Sequence, residues 1–315
     1  MAYSVLVCHT KGQVKMTGSS GDLAADRRYQ WALGALEARD YESARDIFAQ
    51  TLELAPNWAP AWFGLGEAFA ALERPGEAIA AFRRALTLDP TDAAGASLRL
   101  ALLAGESPDA APPAYVQTLF DQYARNFDRH LVDALAYRGP EILVQCIDRA
   151  APGRIFGHAL DLGCGSGLMG AAIRNKARQL SGVDLSPAMI DHAASKRVYD
   201  RLAAGDLLDF LAAERESGAD LATAADVFVY IGDLEPAFAA VWRVLARGGL
   251  FAFTAQKWNG DGFRLGEDLR FSHGEAYLRA LAARAGFAVL ELSPAATRRD
   301  RGEDVPGWAA IMLKN

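Results

Sequence analysis

ALDLGCGSG, residues 159–167, is the stretch on which the rest of the chain is read. An apolar run closes on an acid, Asp161, and passes through Gly163, Cys164, Gly165, Ser166 and Gly167 before a helical pattern opens near Leu168. Strand, glycine loop and helix in that order make one unit of a parallel α/β sheet, whose ligands bind beyond the carboxyl ends of the strands. Glycines turn the backbone tightly and let a nucleoside come close to it. The acid narrows the ligand: a nicotinamide dinucleotide brings its pyrophosphate against such a loop, whereas Asp161 suits the ammonium group of an amino-acid tail.

Two further acids extend the pattern. SGVDLS, residues 181–186, ends a second apolar run on Asp184, placed to hold two ribose hydroxyls, although its distance from Gly163 also suits a dinucleotide. AGDLL, residues 204–208, sets Asp206 after a third short run, within reach of an adenine amino group, with Leu207 against the ring and Leu185 as a further contact. Three acids after three successive strands converge on one crevice. The bland alternative is that these acids cap helices and that 163–167 is an ordinary turn.

Further strands are predicted at 199–203, 220–224, 249–254, 288–292 and 309–313. Helical patterns between most of them imply right-handed crossovers and a mainly parallel sheet. The last two runs lack an intervening helix and are predicted to form an antiparallel edge hairpin. Ahead of the sheet, Val116, Leu119, Phe120, Tyr123, Phe127 and Leu131 recur at three- or four-residue spacing, one face of a helix. That stripe reads either as a docking face or as a lid over the crevice, with Tyr123 touching the cofactor.

The N-terminal region is a repeat. Ala44, Phe48 and Pro56 recur as Ala78, Phe82 and Pro90, 34 positions on, which is the tetratricopeptide period. Trp62, Leu65, Gly66 and Phe69 on one predicted helix precede Ala78, Phe82 and Ala85 on the next; Trp31 and Ala35 stand at related places in a looser first unit. Small residues at Gly66 and Ala78 allow two antiparallel helices to approach. The organisation read from this is a flexible tail at 1–24, a tetratricopeptide-repeat (TPR) domain at 25–104 closed by a helix at 91–103, a linker at 105–113, and an α/β domain at 114–315 whose first part, 114–150, is the helical lid. A short helical solenoid offers a concave face for a protein partner or for self-association.

The 315 residues, 51% hydrophobic and 23% charged, suffice for two cores. A net charge of -6 supplies no basic face for a phosphate backbone, which argues against nucleic acid as a partner. No apolar run approaches the roughly 20 residues that a membrane span needs. Cys8, Cys146 and Cys164 are too scattered for a disulfide framework or a zinc site, so a reducing cytoplasm and no metal are expected.

DLGCGSG, GVDLS and AGDLL resemble the cofactor motifs of the class I S-adenosylmethionine-dependent methyltransferases, a likeness covering 114–315. LFDQYARNFDRHLVDALAY, ADVFVYIG, GGLFAF and RRDRGEDVPG resemble a bacterial group of predicted methyltransferases that also carry tetratricopeptide repeats. The resemblance implies a Rossmann-like, doubly wound seven-stranded sheet and S-adenosylmethionine as cofactor. It puts Asp161, Gly163 and Gly165 on the methionine part within the loop that includes Cys164 and Gly167, Asp184 on the ribose, Asp206 with Leu207 on the adenine, and Asp226 on the methyl-transfer face. The family's reaction is an in-line displacement at the methyl carbon, in which positioning supplies much of the acceleration. A base is needed only where the acceptor must lose a proton; candidates are Asp226, Tyr230, His130 and His273, each with a plainer role as surface, cap or pocket wall.

The tract Arg298-Arg299-Asp300-Arg301 reads either as a site for an acidic substrate group or as solvated loop. The segment Ala225-Asp226-Val227-Phe228 lacks the proline-containing motif of amide and adenine methylation, and no cysteine near it suits pyrimidine chemistry. Transfer to oxygen or nitrogen of a small molecule is the first expectation. A peptide acceptor held by the repeats and a non-catalytic binding scaffold are the alternatives.

Overall fold

The computed structural model describes residues 18–123, 137–300 and 302–315. They fall into two compact units, one reaching to Leu119 and including Glu267–Leu269, the other Phe120–Gly266 with Arg270–Asn315.

The first unit is helical. Helices α1 (Leu23–Glu37), α2 (Tyr41–Leu54), α3 (Ala59–Ala71) and α4 (Pro75–Leu88) pair as successive antiparallel neighbours, followed by α5 (Ala96–Ala104) and α6 (Pro113–Tyr123), which runs on into the second unit. Asp22 and Asp40 cap α1 and α2 with their carboxylates, whereas α3 and α4 carry a proline, Pro60 and Pro75, within their first two positions, where a missing N–H costs nothing. The turns inside the two pairs use left-handed residues at equivalent places, Arg39 at φ 61 and Glu73 at φ 57. Gly64 and Gly66 make room for the repeated aromatics: a Cβ on Gly64 would lie 2.4 Å from the Phe48 ring, and one on Gly66 2.6 Å from that of Phe82. Thus Gly66 accommodates Phe82, beyond the helix approach read from the sequence. In the looser first pair Ala32 is fully buried while Trp31 is 65% exposed, so Trp31 is no core residue. The closing helix starts at Ala96, later than expected at 91, because Asp92 and Gly95 adopt positive φ and the Asp92 carboxylate accepts the amides of Ala96 and Ser97 at 2.6 and 3.0 Å.

In the second unit a sheet lies between two helical layers. Its strands are β1 (Phe156–Leu162), β2 (Ala177–Asp184), β3 (Arg201–Ala204), β4 (Ala219–Ala224), β5 (Leu245–Trp258), β6 (Phe263–Leu265), β7 (Phe271–Gly274), β8 (Phe287–Asp300) and β9 (Glu303–Lys314). The order β3-β2-β1-β4-β5 is parallel throughout; β9 joins β5 antiparallel and β8 pairs with β9, the edge hairpin expected from the sequence. These are the seven expected strands. The sheet has nine, because the short antiparallel pair β6–β7 attaches to the far end of β5.

The strands alternate faces as a two-residue period requires. Leu160, Val183, Ala222, Phe251 and Phe253 face one core, Ala159, Leu180, Leu221, Leu250 and Ala252 the other. Helices α7 (Gly139–Ala150) and α8 (Leu168–Ile173) cover the second face through Leu143, Ile147, Met169 and Ile173. The first is covered by α10 (Leu207–Ala213), α11 (Glu235–Val244) and α12 (Glu275–Ala285), through Leu211, Phe238, Val241 and Leu278; α9 (Pro187–Ser195) links β2 to β3. Among the described residues no helix is long and apolar enough to cross a membrane.

Candidate active site

Parallel strands with their carboxyl ends level put Asp161, Asp184, Asp206 and Asp226 along one edge of the sheet. The order reverses between β1 and β4, the place where such sheets bind ligands.

Asp161 is fully buried, opposite Gly182 of β2 and Thr223 of β4. Its carboxylate accepts from the Tyr199 hydroxyl at 2.6 Å and the Thr223 hydroxyl at 2.9 Å. Burial pushes the carboxyl up to about 6; the two hydroxyls oppose the rise, the nearby Asp184 charge adds to it, and the Gly170 amide opposes it. Tyr199, expected from the sequence only as the start of a strand, precedes β3 instead and joins the site. Its ring lies over glycines: a Cβ on Gly170 would stand 2.2 Å from it, and one on Gly182 2.8 Å.

The loop after β1 turns through three positive-φ glycines, Gly163 at 64, Gly165 at 51 and Gly167 at 90, the last capping α8. A Cβ on Gly163 would lie 2.5 Å from Val227, so only glycine passes there. Cys164 is buried, its amide bonded to the Val183 carbonyl at 2.9 Å and its thiol pushed up by burial and by Asp161 and Asp184.

Asp184 accepts the Gly165 amide on one carboxylate oxygen and the Ser186 amide on the other, both at 2.9 Å. Burial raises its pKa, the two amides oppose, and Asp121 adds to the rise. The Ser186 hydroxyl, which caps α9, donates to Asp121 at 2.5 Å. Leu185 is half-buried. Asp206 is the N-cap of α10: one carboxylate oxygen accepts the amides of Leu208 and Asp209 at 2.7 and 3.4 Å, and the other takes no bond from the described residues. Leu207 packs on the first core.

Asp226, just past β4, adopts φ 56. Its amide donates to Thr254 of β5 at 2.8 Å, and its carboxylate accepts the hydroxyls of Thr254 and Thr297, both at 3.0 Å, and the Arg298 guanidinium at 3.1 Å. Thr297 and Arg298 arrive from β8, so the long hairpin closes this end of the crevice. Tyr230, in a short 3₁₀ turn at Phe228–Tyr230, meets Phe120 edge-to-face with centroids 5.5 Å apart. His273 sits elsewhere in function: it is fully buried in β7, and its Nε2 donates to the carbonyls of Ile231 and Gly232 at 3.0 and 3.1 Å. Burial lowers its pKa to about 4, against the help of those carbonyls, so the ring is neutral and anchors the 231–232 segment. His130 and the side chain of Tyr123 lie outside the described residues.

Comparison with known proteins accords with this arrangement. Residues 160–251 match the methyltransferase-domain family, and residues 29–93 match the tetratricopeptide repeat. Human methyltransferase-like protein 27 is 39% identical over 85 residues, 26% of this chain and 34% of that protein. The malonyl-[acyl-carrier protein] O-methyltransferase of Salmonella typhimurium is 35% identical over 102 residues, 32% of this chain and 40% of that one. The chain therefore matches well under half the length of either relative. Among solved structures, the Burkholderia thailandensis 1,6-didemethyltoxoflavin-N1-methyltransferase, with its substrate and S-adenosylhomocysteine, superposes with a TM-score of 0.51 at 18% identity, covering 67% of this chain and 93% of that one. That likeness shows the fold. The chain thus pairs a segment similar to methyltransferase domains, in a fold shared with that enzyme, with a segment similar to tetratricopeptide repeats.

Proposed function

We propose that this chain transfers a methyl group from S-adenosylmethionine to an oxygen or nitrogen of a small-molecule acceptor. The observation that carries the reading is Asp184. Two backbone amides fix its carboxylate at the end of β2, each oxygen keeping a lone pair for a ribose hydroxyl, and one of them, that of Gly165, ties the glycine loop beside it.

The residues present suit that cofactor. Gly163 and Gly165 keep side chains off the loop, Asp161 offers a negative charge to an ammonium group, and Asp206 has a free carboxylate oxygen for an adenine amine. When bound, the cofactor supplies an electrophilic methyl group on a positively charged sulfur. The chain's own task is to orient it and exclude water, with Asp226 and Tyr230 lining the side that faces the acceptor. Asp226, engaged by two hydroxyls and a guanidinium, acts in positioning.

Titration of S-adenosylhomocysteine into the wild type and Asp184→Ala tests the assignment. Loss of two charge-assisted bonds should weaken binding roughly 10- to 100-fold; equal affinities overturn the ribose assignment. A second reading, favoured by the tetratricopeptide match, is a peptide acceptor. Incubating the full chain with labelled methyl donor and cell extract, then resolving label between protein and small-molecule fractions, separates the two.

A further inference from the structure

Among the described residues three buried side-chain nitrogens lack a hydrogen-bond partner: Arg99 Nε, His273 Nδ1 and Arg298 Nε. The first still faces Glu67 in an ion pair at 2.7 Å. The second is the ring nitrogen left over from an imidazole whose other nitrogen is bonded, and a neutral imidazole keeps one nitrogen free of a proton. Arg298 differs, because every nitrogen of a guanidinium carries a proton and the charge cannot be shed. Its side chain is 8% exposed and already spends Nη1 on Asp226 at 3.1 Å and Nη2 on Gln256 at 3.0 Å. A buried charged donor left unmet is costly, and such orphans call for an explanation.

The place supplies one. Along the sheet edge the acids run from Asp206 after β3, through Asp184 of β2 and Asp161 of β1, to Asp226 after β4. On the proposed function, on which this inference rests, these hold adenine, ribose, methionine and the transfer face in turn. Arg298 stands one strand further, against Gln256 of β5 and beside Asp226, the residue that the proposed function puts on the transfer face. Tyr137 connects the two sides: burial drives its hydroxyl well above the ordinary range, Asp226 adds to the rise, Arg298 opposes it and Asp161 adds again. Asp226 itself is held at φ 56, a conformation uncommon outside glycine and concentrated at functional sites.

We propose that Arg298 is a carboxylate-binding side chain of the transfer crevice, and that the carboxylate belongs to the methyl acceptor. The acceptor class is thus an organic acid. Its carboxylate takes the unmet Nε–H while the nucleophilic oxygen or nitrogen, elsewhere on the molecule, faces the cofactor. Asp226 competes for the same guanidinium, holding it in place between turnovers. The cofactor's own carboxylate is the other source of this chemistry, and the test separates them.

The full chain is titrated with S-adenosylhomocysteine and with 5′-methylthioadenosine, which lacks the amino-acid tail, using wild type and Arg298→Gln. The complex with S-adenosylhomocysteine is then titrated with propionate and benzoate, each beside its primary amide at matched ionic strength. Expected are unchanged affinity of Arg298→Gln for both nucleosides, binding of at least one acid to wild type roughly tenfold tighter than its amide, and loss of that preference in Arg298→Gln. Asp226→Asn, which frees the guanidinium from its ion pair, should tighten acid binding several-fold relative to the matched amide, and the gain should vanish when Arg298→Gln is added. If Arg298→Gln does not fold, Arg298→Lys, which keeps the charge but lacks an Nε–H fork, takes its place and should lose most of the acid preference. Acids and amides binding alike, acids left unaffected by Arg298→Gln, or no tightening in Asp226→Asn overturn the inference. A loss in Arg298→Gln confined to S-adenosylhomocysteine gives the carboxylate to the donor and overturns it too. Failure of wild type to bind S-adenosylhomocysteine sinks the proposed function itself.

Discussion

At the scale of single residues, Asp161 shows most clearly how burial sets behaviour. Its carboxyl titrates at about 6 in the fold against an ordinary 3.8, so between those values the folded chain holds a proton that the unfolded chain has released. Stability from this group is therefore full below pH 3.8 and is lost as pH rises through 6, by about 3 kcal/mol in all. Urea denaturation of wild type and Asp161→Asn across pH 4 to 7 should show the variant gaining on wild type as pH rises. A constant difference over that range would mean that Asp161 is already charged at pH 4. The same titration should strengthen binding of S-adenosylhomocysteine as pH rises through 6 in wild type and leave the variant flat, because only the ionised carboxylate attracts an ammonium group. Asp161 was legible in the sequence because it closes an apolar run before a glycine loop. Its partners Tyr199 and Thr223 were not, since contacts made across 38 and 62 positions of chain leave no local pattern.

At the scale of elements, the glycines of α8 and β2 act as a cradle for one ring. Gly170 lies in a helix, where alanine ordinarily gains up to about 1 kcal/mol over glycine. Here the added methyl would meet Tyr199 at 2.2 Å, so Gly170→Ala should destabilise by about 1 to 3 kcal/mol and pull the hydroxyl off Asp161. In a Tyr199→Leu background the penalty should shrink, giving a coupling energy measurable by denaturant titration. A stabilised Gly170→Ala would show that the ring packs elsewhere. Strands β1, β2, β4 and the first half of β5 were readable because a parallel strand covered on both faces is a continuous apolar run. The pair β6–β7 escaped because its strands are three and four residues long, too short for periodicity to register. The reach of β8 to Asp300 escaped for another reason: Thr297, Arg298 and Arg299 look like solvated loop, and the buried ion pair that keeps Arg298 in the strand lies 72 positions from its partner.

At the scale of the whole molecule, each unit carries its own core, one built on Phe48 and Phe82 among small helical residues, the other on both faces of the sheet. Separate cores predict separate transitions in calorimetry. A ligand that binds one unit stabilises that unit alone, by about 2.7 kcal/mol at a concentration 100 times its Kd. For a domain of the size of residues 120–315 this corresponds to about 5 to 10 °C. S-adenosylhomocysteine should therefore raise one transition by that amount and leave the other where it was. Gly66→Ala, whose methyl would stand 2.6 Å from Phe82, should lower the transition that the ligand leaves alone. The two perturbations thus label the two transitions independently, ligand from the crevice and methyl group from the repeat core. A single transition moved by both would show that the units melt as one. If the nucleoside raised the transition that Gly66→Ala lowers, binding would belong to the repeats, and the crevice at Asp161, Asp184 and Asp206 would lose its claim to the cofactor.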